Sequence, residues 1–409
     1  MKNSTENIRL NLLKKIILFA LLNSSFFIAF GGSGFLRLCA TILMNISGLL
    51  LIYTYSIDYK LFKTLKISSY FRVLFSLLVL WSLVTIIKSI SFDETSLKSL
   101  FGHPLMGWTW LTPLAIVFGF KISNWVFIFN YFNKLLLISS ILTLGSLFYN
   151  QKIIFGLLEW MAFLPILLLT YSYQNKKNKN IILLATICYI LLSLLVSQRS
   201  NIIFMSIIGF FFILHLYRNT ILSFLKFGLS LFLIISCLVL LVNGKKYYNE
   251  INNNEDLTRD TRTFLYEEIL EDMQGNDLIY GRGALGKYYS PFFESWNKSF
   301  DGGDSEFRSV NEVGYLQIIL KGGTLLLILY LLILIPAAYL GIFKSNNIIA
   351  KMSGLLILSY LFLWTISYYP IYSAEYILLW MAVGTTISVR TRRITDIGIK
   401  KLVLKNRNR

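Results

Sequence analysis

The chain has 409 residues, of which 56% are hydrophobic and only 15% charged, and its mean hydropathy is +0.62. A soluble domain of this length needs far more polar surface, so that class is excluded. The formal net charge of +18 invites a nucleic-acid partner, but the placement of that charge along the chain excludes one.

The apolar residues come in blocks of roughly 17–25, the length that crosses ~30 Å of hydrocarbon as a helix. Only helices and closed barrels satisfy their backbone in lipid, and these blocks lack the alternation of a barrel. In chain order the blocks predict twelve spans, at 16–35, 38–57, 71–90, 104–120, 133–149, 153–171, 181–197, 201–217, 226–242, 323–341, 352–370 and 374–389. The expected fold is therefore an all-α polytopic membrane protein of about 12 transmembrane helices. Residues 1–242 would hold helices 1–9, 243–322 a large outer loop with an amphipathic and an interfacial helix, and 323–409 helices 10–12 with a basic tail.

With the N-terminus inside, the inner segments collect 24 of the 39 Lys and Arg, including eight after Val389. The short outer loops hold Arg37, Lys88, Lys98, Lys152 and Arg199. This asymmetry is the positive-inside rule, and it predicts that both termini are cytoplasmic. Lys14-Lys15 before IILFALLNSSFF resembles the start of a signal peptide, but no small-residue cleavage site follows, so the run is kept as the first span. Cys39, Cys188 and Cys237 all fall in apolar runs, which reads as packing and offers neither a disulfide framework nor a metal cluster.

Two charges stand within or beside spans. Arg199, in LLVSQRSNIIF, lies at the outer mouth between spans seven and eight. It either snorkels to water and lipid phosphates or clamps an anion in a polar cavity, and its neighbours Ser197, Gln198, Ser200 and Asn201 favour the cavity. Glu159, in IIFGLLEWMAFL, lies about two turns below the outer surface, at a depth Arg199 can reach.

The loop 243–312 breaks the pattern, with 14 acidic and 8 basic residues against a basic remainder. In TRTFLYEEILEDM, residues Phe264, Leu265, Ile269 and Met273 make one apolar face, which predicts an amphipathic helix capped by Asp260 or Thr261. Tyr288, Tyr289, Phe292, Phe293 and Trp296 form an aromatic cluster, suited to packing the loop, to a bilayer surface or to sugar rings. GRGALG (281–286) has the spacing of a dinucleotide fingerprint but lacks the strand, the helix and the ribose-binding acid that the fingerprint requires. It predicts a tight turn that exposes Arg282. Arg259, Arg262, Arg282 and Arg308 supply the planar, permanently charged forks that recognise phosphate. After the loop, NEVGYLQIILKGGTLLL predicts a short interfacial helix over 313–320 that turns at Gly322-Gly323 into span ten. His215 reads as an interfacial anchor beside Tyr217 and Arg218, and His103, which precedes Pro104 in an outer loop, is a poor candidate base. Glu312, Glu306 and Asp304 are the acids that can serve as one, while Asp93 and Glu94 read as exposed loop acids. No metal-ligand spacing stands out on the outer side.

The SQRSN arginine between spans seven and eight, the large outer loop before span ten, Arg262 in TRTFLYEEI, Gly281-Arg282-Gly283 and NEVGYLQIILKGG occur in one order. In this the chain resembles the bacterial O-antigen polymerase and O-antigen ligase superfamily over residues 150–340. The resemblance implies a glycosyltransferase of the bacterial inner membrane that uses undecaprenyl-diphosphate-linked glycans on the periplasmic side, with neither metal nor nucleotide sugar and no cofactor. Arg199 and Arg262 would bind the diphosphate and stabilise the leaving group, with Arg282, Arg259, Arg308 and Glu159 as further substrate-binding residues. The ligase branch carries a histidine at the loop end, where this chain has Asn311-Glu312 followed by Gly322. That departure favours the polymerase branch and makes Glu312 a substitute base. The expected partners are the lipid-linked oligosaccharide, membrane lipids and a chain-length regulator protein. A ligase that moves glycan to lipid A-core, and a flippase or other transporter of lipid-linked oligosaccharide, stay open as alternatives.

Overall fold

A computed structural model of the chain describes residues 2–30, 35–58, 67–91, 93–146, 161, 163–195, 199–217, 263–297 and 306–407. The molecule is built mostly of helices. The first half holds α1 (Lys2–Phe30), α2 (Phe35–Asp58), α3 (Ser69–Ile87), α4 (Glu94–Gly102), α5 (Gly107–Leu111), α6 (Ile116–Gly119), α7 (Ile122–Ser146), α8 (Leu164–Leu169), α9 (Lys176–Leu195) and α10 (Arg199–Tyr217). The polar loop contributes α11 (Thr263–Asp272), α12 (Asn276–Tyr280), strand β1 (Tyr288–Tyr289), α13 (Pro291–Trp296) and strand β2 (Phe307–Arg308). Then come α14 (Gly314–Phe343), α15 (Ile348–Leu363), α16 (Ala374–Ile387), α17 (Val389–Arg393) and α18 (Asp396–Arg407). Side-chain caps start several of them: Asp93 accepts from Ser96 N, Asn347 from Ala350 N and Ser373 from Tyr376 N.

Among the described residues, four helices are long and apolar enough to cross a membrane: α2, α3, α7 over Ile122–Leu142, and α14. Ser200–Ile213 of α10, α15 and α16 are shorter apolar helices. On α14 the large side chains Ile328, Leu332, Ile335, Tyr339 and Phe343 face outward along one stripe, each at least 41% exposed. Leu38, Ile42, Ile46, Leu49 and Tyr53 do the same on α2. An apolar surface of this extent suits hydrocarbon rather than water as solvent.

The expected span 104–120 is not one helix. It is broken into α5, a 3-10 turn over Thr112–Ala115 and α6, and every residue from Leu105 to Phe120 is buried. Pro104 and Pro113 withhold backbone donors there. Gly119 lets α6 meet α16 backbone to backbone, since a Cβ on Gly119 would stand 1.9 Å from Met381 O and one on Gly384 1.9 Å from Ile116 O. Small residues at a helix crossing are the usual means of such close approach between apolar helices. The hydroxyl of Thr385 donates to Gly119 O at 3.1 Å and accepts from Trp125 Nε1 at 2.7 Å. The fifth expected span, 133–149, belongs to a longer helix, because α7 begins at Ile122 and runs through Asn133, whose amide donates to Gln174 Oε1. The ninth expected span, 226–242, lies outside the described residues.

Connections gather at two ends. At one end Arg9 pairs with Asp58 at 2.8 Å, and the Asp396 carboxylate accepts from Tyr173 and from Ile348 N. Arg392 there donates to Lys344 O, and Thr391 to Phe120 O. At the other end meet the C-terminus of α3, the loop elements α11–β2, the start of α14 and the α15–α16 connection.

Candidate functional site

The described part of the polar loop, residues 263–297 and 306–312, is seated on that second end. Leu265 and Ile269 of α11 and the following Met273, each 1% exposed, pack with Tyr288, Val313, Leu316 and Leu320 into a small core of their own. The amphipathic face read from the sequence is thus covered by the first segment of α14. The caps expected at Asp260 or Thr261 lie outside the described residues. Of the aromatic cluster, Tyr288 is buried while Tyr289 and Phe292 stay exposed, and Phe264 lies 4.7 Å from Phe292. Burial pushes the Tyr288 hydroxyl up to about 12, against the lowering effect of Arg308. Strands β1 and β2 pair antiparallel, with Tyr288 opposite Arg308 and Tyr289 opposite Phe307.

GRGALG is a turn, and its function is docking. Gly281 and Gly283 have φ of +69° and +83°, and Gly323, where α14 breaks, has φ of +74°. A Cβ on Gly281 would lie 2.5 Å from Gly323 N and from Lys321 O. This contact frees the N–H groups of Arg282 and Gly283 to donate to Leu320 O and Lys321 O, each at 2.9 Å, which satisfies the C-terminal carbonyls of the first helical segment of α14. From the other side α3 grips the same turn. Ala284 N donates to Thr85 O, Leu285 N to Ser89 Oγ, and Lys88 Nζ to Tyr280 O and Gly281 O. Trp81 Nε1 donates to Gly322 O at 2.7 Å.

The side chain of Arg282 turns back into the loop. Its Nε donates to Asp277 Oδ2 at 2.7 Å, Nη1 to Asp272 Oδ2 and to Lys287 O, and Nη2 to Asp272 O. Burial disfavours the charge, but the two carboxylates outweigh it and hold its pKa above the ordinary value. Arg308 Nη2 lies 2.9 Å from Glu312 Oε1, and the Glu312 side chain is 46% exposed. The backbone carbonyl of Glu306 accepts from Ser290 N at 3.1 Å. Arg199 is the first residue of α10, and α11 begins at Thr263, directly after Arg262. Arg262, Arg259, Glu159 and Asp304 lie outside the described residues. His103 accepts from Leu105 N at Nδ1. Burial, with the nearby Arg37 and Lys321 cations, pushes its pKa down to about 4, so it is neutral at pH 7 and a weak base.

The connection 364–373 joins what the chain separates. Tyr266 of α11 donates its hydroxyl to Thr365 O at 2.8 Å, and Tyr368 OH lies 2.5 Å from Asn201 Oδ1 in the first turn of α10. Tyr368 itself has a positive φ of 63°, an uncommon conformation for a residue with a side chain and one that concentrates at functional sites. The helix that Arg199 opens and the helix that follows Arg262 are therefore anchored to one short connection.

Several participants were not singled out by sequence reasoning: Trp81, Lys88, Asp272, Asp277 and Lys321. Asp277 and Asp272, five and ten residues before Arg282, were a local signal for its pairing. For Trp81 and Lys88 the contacts are nearly two hundred residues or more away in sequence, and no local pattern marks them.

The fold and this end of it define a class: a helical membrane protein with a structured polar unit docked on one end of its helices. Comparison with protein-family models, with curated proteins and with solved structures returned no match.

Proposed function

We propose that this protein is a polysaccharide polymerase that joins undecaprenyl-diphosphate-linked repeat units at the periplasmic face of the bacterial inner membrane. The observation that carries the reading is the shared anchoring of α10 and α11 on Thr365 and Tyr368. It brings the start of α10, with Arg199, and the start of α11, next to Arg262, to the same end of the molecule. Two guanidiniums there would hold the donor diphosphate and stabilise the charge that develops on it as the glycosidic bond breaks. The connections rich in Lys and Arg meet at the opposite end, which we place in the cytoplasm with both termini.

In this reading Glu312 takes the proton from the attacking sugar hydroxyl, and Arg308 orients its carboxylate. Arg282, whose guanidinium is engaged by Asp272 and Asp277, shapes the loop rather than binding diphosphate. Glu312→Gln keeps the shape of the side chain and removes the base, so it is expected to abolish polymer. Surface polysaccharide of normal chain length in that variant would rule Glu312 out as the base.

The whole reading is tested in a deletion strain by extracting its lipid-linked glycans and its surface polysaccharide. Single repeat units at the surface, with the long ladder gone, are the result expected. Long polymer stranded on its lipid would instead mean a ligase, and single units trapped on the cytoplasmic leaflet a flippase.

A further inference from the structure

Lys321 lies in the last turn before the break at Gly323 and is 0% exposed. Its ammonium donates to Gly286 O and to Ser309 O, each at 2.7 Å. Among the described residues no carboxylate lies within ion-pairing distance of it. Burying a lysine amine without a counter-charge is costly, and its two hydrogen bonds offset that cost, so an apolar side chain in its place would leave both carbonyls without a donor.

The geometry it imposes is specific. Gly286 closes the docking turn, and Ser309 directly follows Arg308, so one side-chain amine ties together the two ends of the segment 286–309. One helical turn earlier, the wholly buried Gln317 accepts from Asn311 N at 2.8 Å, and Asn311 Oδ1 accepts from Val313 N at 2.9 Å. Glu312 thus sits between two residues whose N–H groups are held, on a chain whose approach is fixed at Ser309. All of these restraints lead back to the first segment of α14.

We propose that Lys321 is a positioning residue that fixes Arg308 and Glu312 against the helical bundle through the carbonyls of Gly286 and Ser309. The proposal rests on the role given to Glu312 above, and its action is indirect, since the ammonium lies beneath the segment and reaches no solvent.

The test uses full-length protein in lipid nanodiscs, with an undecaprenyl-diphosphate-linked repeat unit as substrate. Lys321→Met is expected to raise amide exchange at 286–290 and 306–313 while α15 and α16 keep their protection. It should lower kcat by roughly 10- to 100-fold, the scale of a misplacement near 1 Å, with KM unchanged. Gln317→Leu, which removes the second restraint and leaves the cation in place, should act in the same direction. The discriminating readout is kcat per folded molecule. If Lys321 is a positioning residue, kcat falls in protein that is fully folded by exchange at α15 and α16. A merely structural lesion would instead lower the folded fraction and leave kcat per folded molecule unchanged. Unchanged exchange at 306–313 in both variants overturns the proposal, as does an opened segment with kcat intact. If the unsubstituted protein makes no polymer, the proposed function falls, and exchange at 306–313 alone decides whether Lys321 holds the segment.

Discussion

Gly323→Ala is expected to unseat the loop from the bundle. Gly323 has φ of +74° and ψ of 178°, a conformation open almost only to glycine, and forcing another residue into it costs about 1–3 kcal/mol. The new Cβ would also stand 2.0 Å from Ile279 O and 2.6 Å from Gly281 N. Both are backbone atoms of the docked turn, so relief comes only by moving the turn away. That breaks the bonds from Arg282 N and Gly283 N to the α14 carbonyls, each worth about 1 kcal/mol. The sum is about 3–5 kcal/mol, a large effect for one methyl group. Thermal unfolding with amide exchange at 279–286 measures it, and native protection there would refute the docking. Gly275→Ala is the control, because Gly275 also has a positive φ of 57° but a Cβ on it meets nothing within 4 Å. It should lose only the backbone strain, about 1–3 kcal/mol, and leave exchange at 279–286 unchanged.

Arg199→Gln is expected to stop polymer formation almost completely. A fixed donor aimed at developing charge contributes about 3–4 kcal/mol, or a rate loss on the order of 10²- to 10³-fold when it is removed. Arg199→Lys should recover part of that, since an ammonium keeps the charge but not the planar two-pronged fork that fits a phosphate. Arg262→Ala should resemble Arg199→Gln if both guanidiniums hold one diphosphate. The readout is the length distribution of surface polysaccharide in a deletion strain carrying each variant. A normal ladder from Arg199→Gln would remove the leaving-group role from this residue.

The parts of this architecture legible in the sequence are those set by local periodicity and local backbone chemistry. The apolar face of 261–273 follows from Phe264, Leu265, Ile269 and Met273 alone, and the break at Gly322-Gly323 follows from the glycines. The tight turn at Gly281–Gly286 was also legible, because its supposed nucleotide context was missing. What that turn rests on was not. The fit of Gly281 against Gly323 is a contact between distant segments, and neither leaves a periodic trace. Lys321 leaves no local trace either, since its burial depends on two carbonyls supplied by the folded loop. The broken segment 104–120 was a different failure. Pro104, Gly107, Pro113 and Gly119 were all visible, but uniform hydrophobicity outweighed them. The residue types gathered near one loop were legible, and the spacing of Asp272 and Asp277 before Arg282 was a local signal for its pairing, whereas the seating of the loop on Trp81, Lys88 and Gly323 depended on the fold.

The broken segment also constrains the order of assembly. Gly119 O takes its donor from Thr385, 266 residues later, and Phe120 O takes one from Thr391. Gly119 and Phe120 are both buried, and a buried carbonyl without a donor is costly. The early part of the chain therefore cannot reach its final state while the ribosome is still making the later part. Until residues 385–391 emerge, it carries an open polar seam that has to be shielded by water, lipid headgroups or an insertase. A chain truncated before residue 385 is expected to keep that seam open. Completion of synthesis is in this sense written into the packing of α6 against α16.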